Sequence, residues 1–275
     1  MNVQDDADAG KRGAATAAAA LVKDGMVLGI GTGSTVRFLI ERLGRRIESE
    51  QLRIAGVATS VETEQRARAA GIPLGELTPG RGLDLAIDGA DEVEQGTLSL
   101  IKGLGGALLR EKIVASAARD FVVVADESKL VAALGTRAPV PVEVVRFAHP
   151  ATACRLERLA CDRRRRETLA QTTSEIRVGL HSQLGTDLGP RAVLRRTAGG
   201  DPFVTDNGNL IYDLHGLAPI ADPQALERDL ALIPGVVESG VFTLRVGCVF
   251  IGSRDGTVRK LEPRGKDRPI TGTPH

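Results

Sequence analysis

Short apolar runs that end abruptly in glycine, hydroxyl or acidic residues recur through the first half of this chain. Most are followed by a helical pattern. Met26–Ile30 runs into Gly31-Thr-Gly-Ser-Thr35 and then into the helical spacing of Val36–Leu43. Ile54–Ala58 leads to Thr59-Ser60, which can cap a helix over Val61–Ala70 that stops at Gly71 and Pro73. Leu83–Ile87 ends in Asp88-Gly-Ala-Asp91, and Phe121–Ala125 ends in Asp126-Glu-Ser-Lys129. Strands alternating with helices predict an α/β fold with a doubly wound, mostly parallel, Rossmann-like sheet. Loops at the strand ends of such a sheet are held by rigid backbone, which suits them to carry chemistry.

The stretch Leu83–Ala118 concentrates that chemistry. After Asp88 and Asp91, a polar turn (Gln95-Gly96-Thr97) leads to a second apolar run, Leu98–Ile101, which ends in Lys102. Gly103-Leu-Gly-Gly106 follows, then a helix carrying Arg110-Glu111-Lys112. Two carboxylates, a lysine, close-approach glycines and a glutamate point to proton transfer. On the helix, Leu108 and Ala115 share a face with Glu111, and Ala107, Val114 and Ala118 complete that stripe. A carboxyl on the apolar side is desolvated, its pKa rises, and it becomes suited to general-base work.

Gly31–Thr35 reads as a phosphate cradle. A strand, a glycine turn with hydroxyls and a helix N-terminus bring free N–H groups, the positive dipole end and Ser/Thr donors together. No lysine follows the glycine as in a P-loop, and residue 34 is not the third glycine of a dinucleotide fingerprint. A monophosphate fits better.

Composition narrows the partners. With 36 basic and 35 acidic residues the net charge is +1, so no global field favours nucleic acid or a membrane surface. Aromatics make up 3% with no Trp, which argues against base stacking. Cys154, Cys161 and Cys248 lack metal-ligand spacing and are too few for a disulfide framework, so a reducing cytoplasm is expected. No apolar signal core opens the chain and no membrane-length apolar run occurs.

Pro139-Val-Pro-Val142 marks a change of character. Residues 1–142 with 247–262 are expected to form the α/β catalytic domain, and 143–246 a smaller α+β domain. In the latter, Ala151–Ala160 and Pro223–Ile233 read as helices and Val236–Phe242 as a strand. Phe203–Leu214 reads as a hairpin around Asn207-Gly208. Residues 161–189, including Arg163–Arg166, show no periodicity and are expected to be a solvated insertion. Met1–Gly10 and 263–275 are expected to be loose.

Taken together, GTGST at 31–35, DGADE at 88–92, KGLGGALLREK at 102–112, ADESK at 125–129, PVEV at 141–144 and TDNGN at 205–209 resemble ribose-5-phosphate isomerase of the A type. The similarity spans roughly Lys11 to Leu261 apart from the insertion. The resemblance implies an aldose–ketose isomerase interconverting ribose 5-phosphate and ribulose 5-phosphate in the non-oxidative pentose phosphate pathway, with no metal or organic cofactor. It implies that Lys11, Thr32, Gly33, Ser34 and Thr35 hold the phosphate. Asp88 and Asp91, with Gly89 and Ala90 between them, would bind sugar hydroxyls and help open the ring. Lys102 with Gly103, Leu104 and Gly105 would stabilise the oxyanion, Lys129 would contact the sugar, and Glu111 would be the base. It also implies a homodimer or homotetramer.

The chain departs from the family pattern where Leu104 replaces a glycine and Leu109 a threonine. A left-handed backbone at Leu104 would store about 1–2 kcal/mol. Two other readings exist, a phosphosugar-binding sensor domain and an amino-sugar-phosphate deaminase-like enzyme. The first needs an attached basic DNA-binding module, and the segment before Lys11 is short and acidic. The second needs a catalytic histidine, whereas His149, His181, His215 and His275 lie away from the glycine turns.

Overall fold

The computed structural model describes residues 3–80, 82–174 and 189–263. The chain opens with α1 (Val3–Ala19), β1 (Val27–Ile30), α2 (Ser34–Glu50), β2 (Ala55–Ala58), α3 (Val61–Ala69) and β3 (Leu83–Asp88). It continues through β4 (Glu92–Glu94), β5 (Leu100–Ile101), α4 (Leu108–Ser116), β6 (Ala118–Asp126), β7 (Leu130–Val131) and β8 (Val140–Val144). Then come α5 (His149–Ser174), β9 (Arg191–Leu194), β10 (Leu210–His215) and α6 (Pro223–Ala231). The last elements are β11 (Val236–Ser239), β12 (Val241–Phe242), β13 (Cys248–Gly252) and β14 (Val258–Leu261).

The main sheet runs β14-β13-β6-β3-β1-β2. All its neighbours are parallel except β14, which returns antiparallel to β13. Its strands are buried on both faces, so their side chains alternate between two cores. Leu85, Ile87, Val122 and Val124 face the helical layer of Ala14, Ala18, Leu39 and Leu43. Ala86, Phe121 and Val123 face Val114, Ala115 and Phe242. This parallel arrangement aligns Gly31, Asp88, Asp126 and Gly252 along one rim. There α1 closes tightly on the sheet: a Cβ on Gly252 would stand 1.8 Å from Gly10 O.

An antiparallel sheet, β11-β8-β10-β9, packs Val140, Val142 and Val144 against Leu156, Leu226 and Leu230 of α5 and α6. A third sheet, β12-β5-β4-β7, joins the two, and its short strands carry no pattern long enough to read from sequence. Gly240 is the junction. Its carbonyl accepts from Lys102 N at 2.8 Å and its N–H donates to Pro141 O at 2.7 Å.

Several expectations are corrected. α1 begins at Val3 rather than near Lys11, so part of the segment expected to be loose is helical. Ala118 opens β6 opposite Leu83 instead of completing the face of α4. The expected strand Val236–Phe242 is broken at Gly240, its halves joining different sheets. α5 continues through Arg163–Arg166 to Ser174, where a shapeless insertion was expected. Arg163 pins it by pairing with Asp229 at 2.5 Å and donating to Asp222 O. The remainder of that insertion, and 264–275 of the tail, lie outside the described residues. Phe203–Leu214 is no hairpin ladder either. Val204 and Leu210 share one bridge, and β10 pairs with β8 and β9. The turn instead closes on the buried Glu143, whose Oε1 accepts from Thr205 Oγ1, Asn207 Nδ2 and Asn209 Nδ2 at 2.9, 3.1 and 2.9 Å.

Lys112 seats α4 against this second layer. Its Nζ donates to Glu227 Oε1 at 2.6 Å, Glu238 Oε1 at 2.8 Å and Val241 O at 2.7 Å. Removing one partner of a buried ion cluster strands the others, at a cost of about 3 kcal/mol where some solvent remains. Lys112→Ala is expected to lower unfolding free energy by about that much in a denaturant titration. A loss under about 1 kcal/mol would mean that Glu227 and Glu238 simply turn to water.

Candidate active site

The rim of the main sheet opens into a cavity lined by Thr32, Gly33, Ser34, Thr35, Gly89, Ala90, Asp91, Lys102, Gly103, Gly105, Glu111 and Lys129. Twelve of the residues singled out in the sequence therefore meet in one place, drawn from four separate chain segments. The exceptions are informative: Asp88, Leu104 and Lys11 are not on this wall.

Asp88 sits behind the wall and organises it. β1 and β3 run side by side, Ile30 opposite Ile87, so Asp88 ends its strand beside Gly31. A Cβ on Gly31 would lie 2.0 Å from Asp88 Oδ1, so only glycine lets the carboxylate cross. Oδ1 accepts from Thr32 N at 3.0 Å and Gly89 N at 2.7 Å, while Oδ2 lies 3.1 Å from Lys102 Nζ. Lys102 Nζ also donates to Gly89 O at 2.7 Å and lies 3.2 Å from Glu111 Oε2. Phe242 covers the ammonium, 5.5 Å from ring centroid to Nζ.

Asp88, Lys102 and Glu111 are thus a buried cluster of two carboxyls and one ammonium, each no more than 4% exposed. Burial alone would lower the Lys102 pKa, but Asp88, Glu111 and Asp91 outweigh it and raise it, so Lys102 stays charged. Burial raises both carboxyls. Asp88 is pulled back by Lys102 and its two N–H donors. Glu111 is pushed up to about 8, by burial first and by Asp88 next, against the opposing pull of Lys102. Its Oε2 is buried 3.2 Å from the Lys102 ammonium, which is the one donor beside it among the described residues, and the contact is poorly aligned. A carboxyl raised this far is suited to exchange a proton near neutral pH.

The set of free donors in the turn after β1 is narrower than the sequence implied. Thr32 N–H is spent on Asp88, and Thr32 Oγ1 donates inward to Ser60 Oγ at 2.9 Å. Ser60 passes its proton to Thr63 Oγ1 at 3.0 Å, and Thr63 donates to Gly31 O at 2.8 Å. Thr32 accordingly braces the loop and presents its methyl group toward Gly105, leaving the N-terminus of α2 from Gly33 to Thr35 for an anion. Thr59 and Ser60 were legible only as a helix cap. Their second role had one signal, three hydroxyl residues crowded behind an apolar strand.

Asp91 reaches the opposite wall, where Oδ2 accepts from Leu104 N at 2.9 Å. Leu104 is 44% exposed and turned away from the cavity, and the left-handed positions of its loop are Gly103 and Gly106. The expected strain at Leu104 is absent because the chain turns at its neighbours. Lys11 stands on α1 at the rim, 4.0 Å from Asp8. Neither His149, bonded to Tyr212, nor His215 lines the cavity; His181 and His275 lie outside the described residues.

The shifted Glu111 has a thermodynamic signature. Its folded pKa of about 8 exceeds the ordinary 4.5, so the folded state binds the extra proton between these values. Its favourable contribution is complete below pH 4.5 and is lost as pH rises through 8. Glu111→Gln, which mimics the neutral form, should match wild type in melting temperature at the acid end and exceed it progressively toward pH 8. A difference that stays flat across that range would place the proton elsewhere.

The profile of ribose 5-phosphate isomerase A (phosphoriboisomerase A) matches residues 55–256. Ribose-5-phosphate isomerase A of Gluconobacter oxydans is 47% identical over 259 residues, covering 94% of this chain and 98% of the relative. The solved ribose 5-phosphate isomerase A of Methanocaldococcus jannaschii is 41% identical with a TM-score of 0.75, covering 92% of this chain and 97% of its own. A D-ribose-5-phosphate isomerase solved with phospho-erythronic acid is 36% identical with a TM-score of 0.76, covering 95% of this chain and all of its own. The chain belongs to the ribose 5-phosphate isomerase A family.

Proposed function

We propose that the chain interconverts D-ribose 5-phosphate and D-ribulose 5-phosphate through an enediolate, with Glu111 as the base. The observation that carries this is the Glu111 carboxyl: buried on the cavity wall, raised to about 8, with a fixed ammonium 3.2 Å from its Oε2. With the phosphate on the N–H groups of Gly33–Thr35, the open sugar extends toward Lys102 and Glu111. Lys11 and Lys129 add positive charge around it. Asp91 orients the sugar hydroxyls, and Asp88 acts as a positioning residue that holds Lys102.

The Glu111 carboxylate removes the C2 proton. The C–H electron pair becomes the C1–C2 double bond, and the carbonyl electrons move onto O1, where Lys102 stabilises them. The O2 proton then passes to O1 and protonated Glu111 returns a proton to C1, leaving the ketone at C2. No electron leaves the sugar, so the chemistry calls for no redox partner. Phospho-erythronic acid, the ligand of one solved relative, supports this reading. It pairs a phosphate with a planar carboxylate, much as the enediolate pairs a phosphate with planar oxygens. A cytoplasmic setting, a homodimer or homotetramer and a place in the pentose phosphate pathway belong to the same proposal.

Glu111→Gln tests it. Substrate contacts remain, so KM should change little, while kcat should fall by roughly 10²–10⁴. Exchange of the C2 hydrogen with solvent should disappear in parallel, and the wild-type enzyme should turn over with EDTA present throughout. Wild-type exchange in the Gln variant would move the base to another group, with Asp91 next in line.

A further inference from the structure

We propose that Arg195 is a positioning residue for the oxyanion loop Gly103–Gly106, and that Asp213 aims it. The inference rests on the isomerase reading above, and concerns how a residue of the second sheet completes the site. Arg195 continues β9, and Asp213 lies diagonally across on β10, so both side chains share one face. The carboxylate grips the guanidinium from two sides, Nε donating to Oδ2 at 2.9 Å and Nη2 to Oδ1. That fork leaves Nη1 pointing away from Asp213. It donates to Gly103 O at 2.8 Å and to Leu104 O at 3.1 Å.

The consequence follows from peptide geometry. In a trans peptide the C=O and N–H vectors are antiparallel. Holding the carbonyls of Gly103 and Leu104 toward Arg195 therefore turns the N–H groups of Leu104 and Gly105 the other way. Leu104 N–H reaches Asp91, on the cavity wall, which confirms the direction. Gly105 N–H is carried to the same side, where the developing O1 charge would stand. A cation on the carbonyl oxygens also polarises those peptides and strengthens their N–H groups as donors. The loop has a second brace from the same region: Phe203 packs so closely that a Cβ on Gly106 would lie 2.4 Å from its ring. The guanidinium lies 5.9 Å from the centre of that ring. Lysine cannot reproduce this arrangement, because one ammonium cannot fork a carboxylate and bridge two carbonyls together.

The test uses the full chain and three variants, Arg195→Ala, Arg195→Lys and Asp213→Asn. The first readout is amide hydrogen exchange of the peptide spanning 103–108, with the β1 and β6 peptides as internal controls. The second is kcat and KM for ribose 5-phosphate, with and without added guanidinium ion. Arg195→Ala should speed exchange in the loop and not in the controls. It should lower kcat by as much as about 10²-fold, the scale of a small misplacement at a reacting centre, with KM changed far less. Guanidinium should restore part of that kcat, Arg195→Lys should stay impaired, and Asp213→Asn should lose less. Loop exchange unchanged in Arg195→Ala overturns the proposal, as does a loosened loop with wild-type kcat. If Arg195→Ala does not fold, Arg195→Lys decides by the same two readouts. A wild-type protein inactive on ribose 5-phosphate would sink the isomerase reading instead, and the loop exchange would still judge Arg195.

Discussion

Everything in this site depends on one buried ammonium. Lys102 lies within 3.2 Å of two carboxyls, Asp88 and Glu111, and water has been excluded from all three. Desolvating three ionisable groups is unfavourable, and one positive charge can neutralise only one negative charge. The shortfall is resolved by hydrogen bonding. Asp88 collects two backbone N–H groups besides the ammonium, whereas Glu111 Oε2 has only the ammonium beside it and its pKa is pushed up to about 8. The same arithmetic that burdens stability yields a base poised for physiological pH.

That cluster exists because three layers converge on it. The parallel sheet delivers Asp88 at the end of β3, and the joining sheet delivers Lys102 just beyond β5. The helix α4, seated by Lys112 against α6 and β11, presents Glu111. Gly240, bonded to both Lys102 N and Pro141 O, ties the antiparallel sheet to the lysine backbone. Arg195 and Phe203 reach the glycine loop from the same side. The smaller sheet is therefore part of the site's rigidity, and changes in its packing can reach the chemistry without touching substrate.

How much of this was legible depended on distance along the chain. The alternation of apolar strands and helices is local, and it announced the parallel sheet, the glycine turn after β1 and the inward face of Glu111. The second half of α5, Cys161–Ser174, held by Arg163 reaching Asp229, has no apolar stripe in its sequence to announce it. Strands of two or three residues, such as β4 and β5, are defined by their partners rather than by a period of their own. The turn at Thr205–Asn209 looked like a hairpin because Asn-Gly favours one, yet a buried glutamate 62 residues away claimed its side chains.

The order of residues along the chain set which chemical groups gather at the strand ends: glycine, hydroxyl, carboxylate, lysine and a glutamate on an apolar face. These follow from spacing and backbone preference, which neighbouring residues decide. Which of those groups remain available to a ligand was settled by packing. Thr32 is occupied by Asp88 and Ser60, Asp88 is occupied behind the wall, and Glu111 Oε2 has only the Lys102 ammonium beside it. The physical reason is that availability depends on every donor and acceptor within about 3 Å. Those partners come from segments as remote as Ser60 and Arg195, brought together only by the packed sheets.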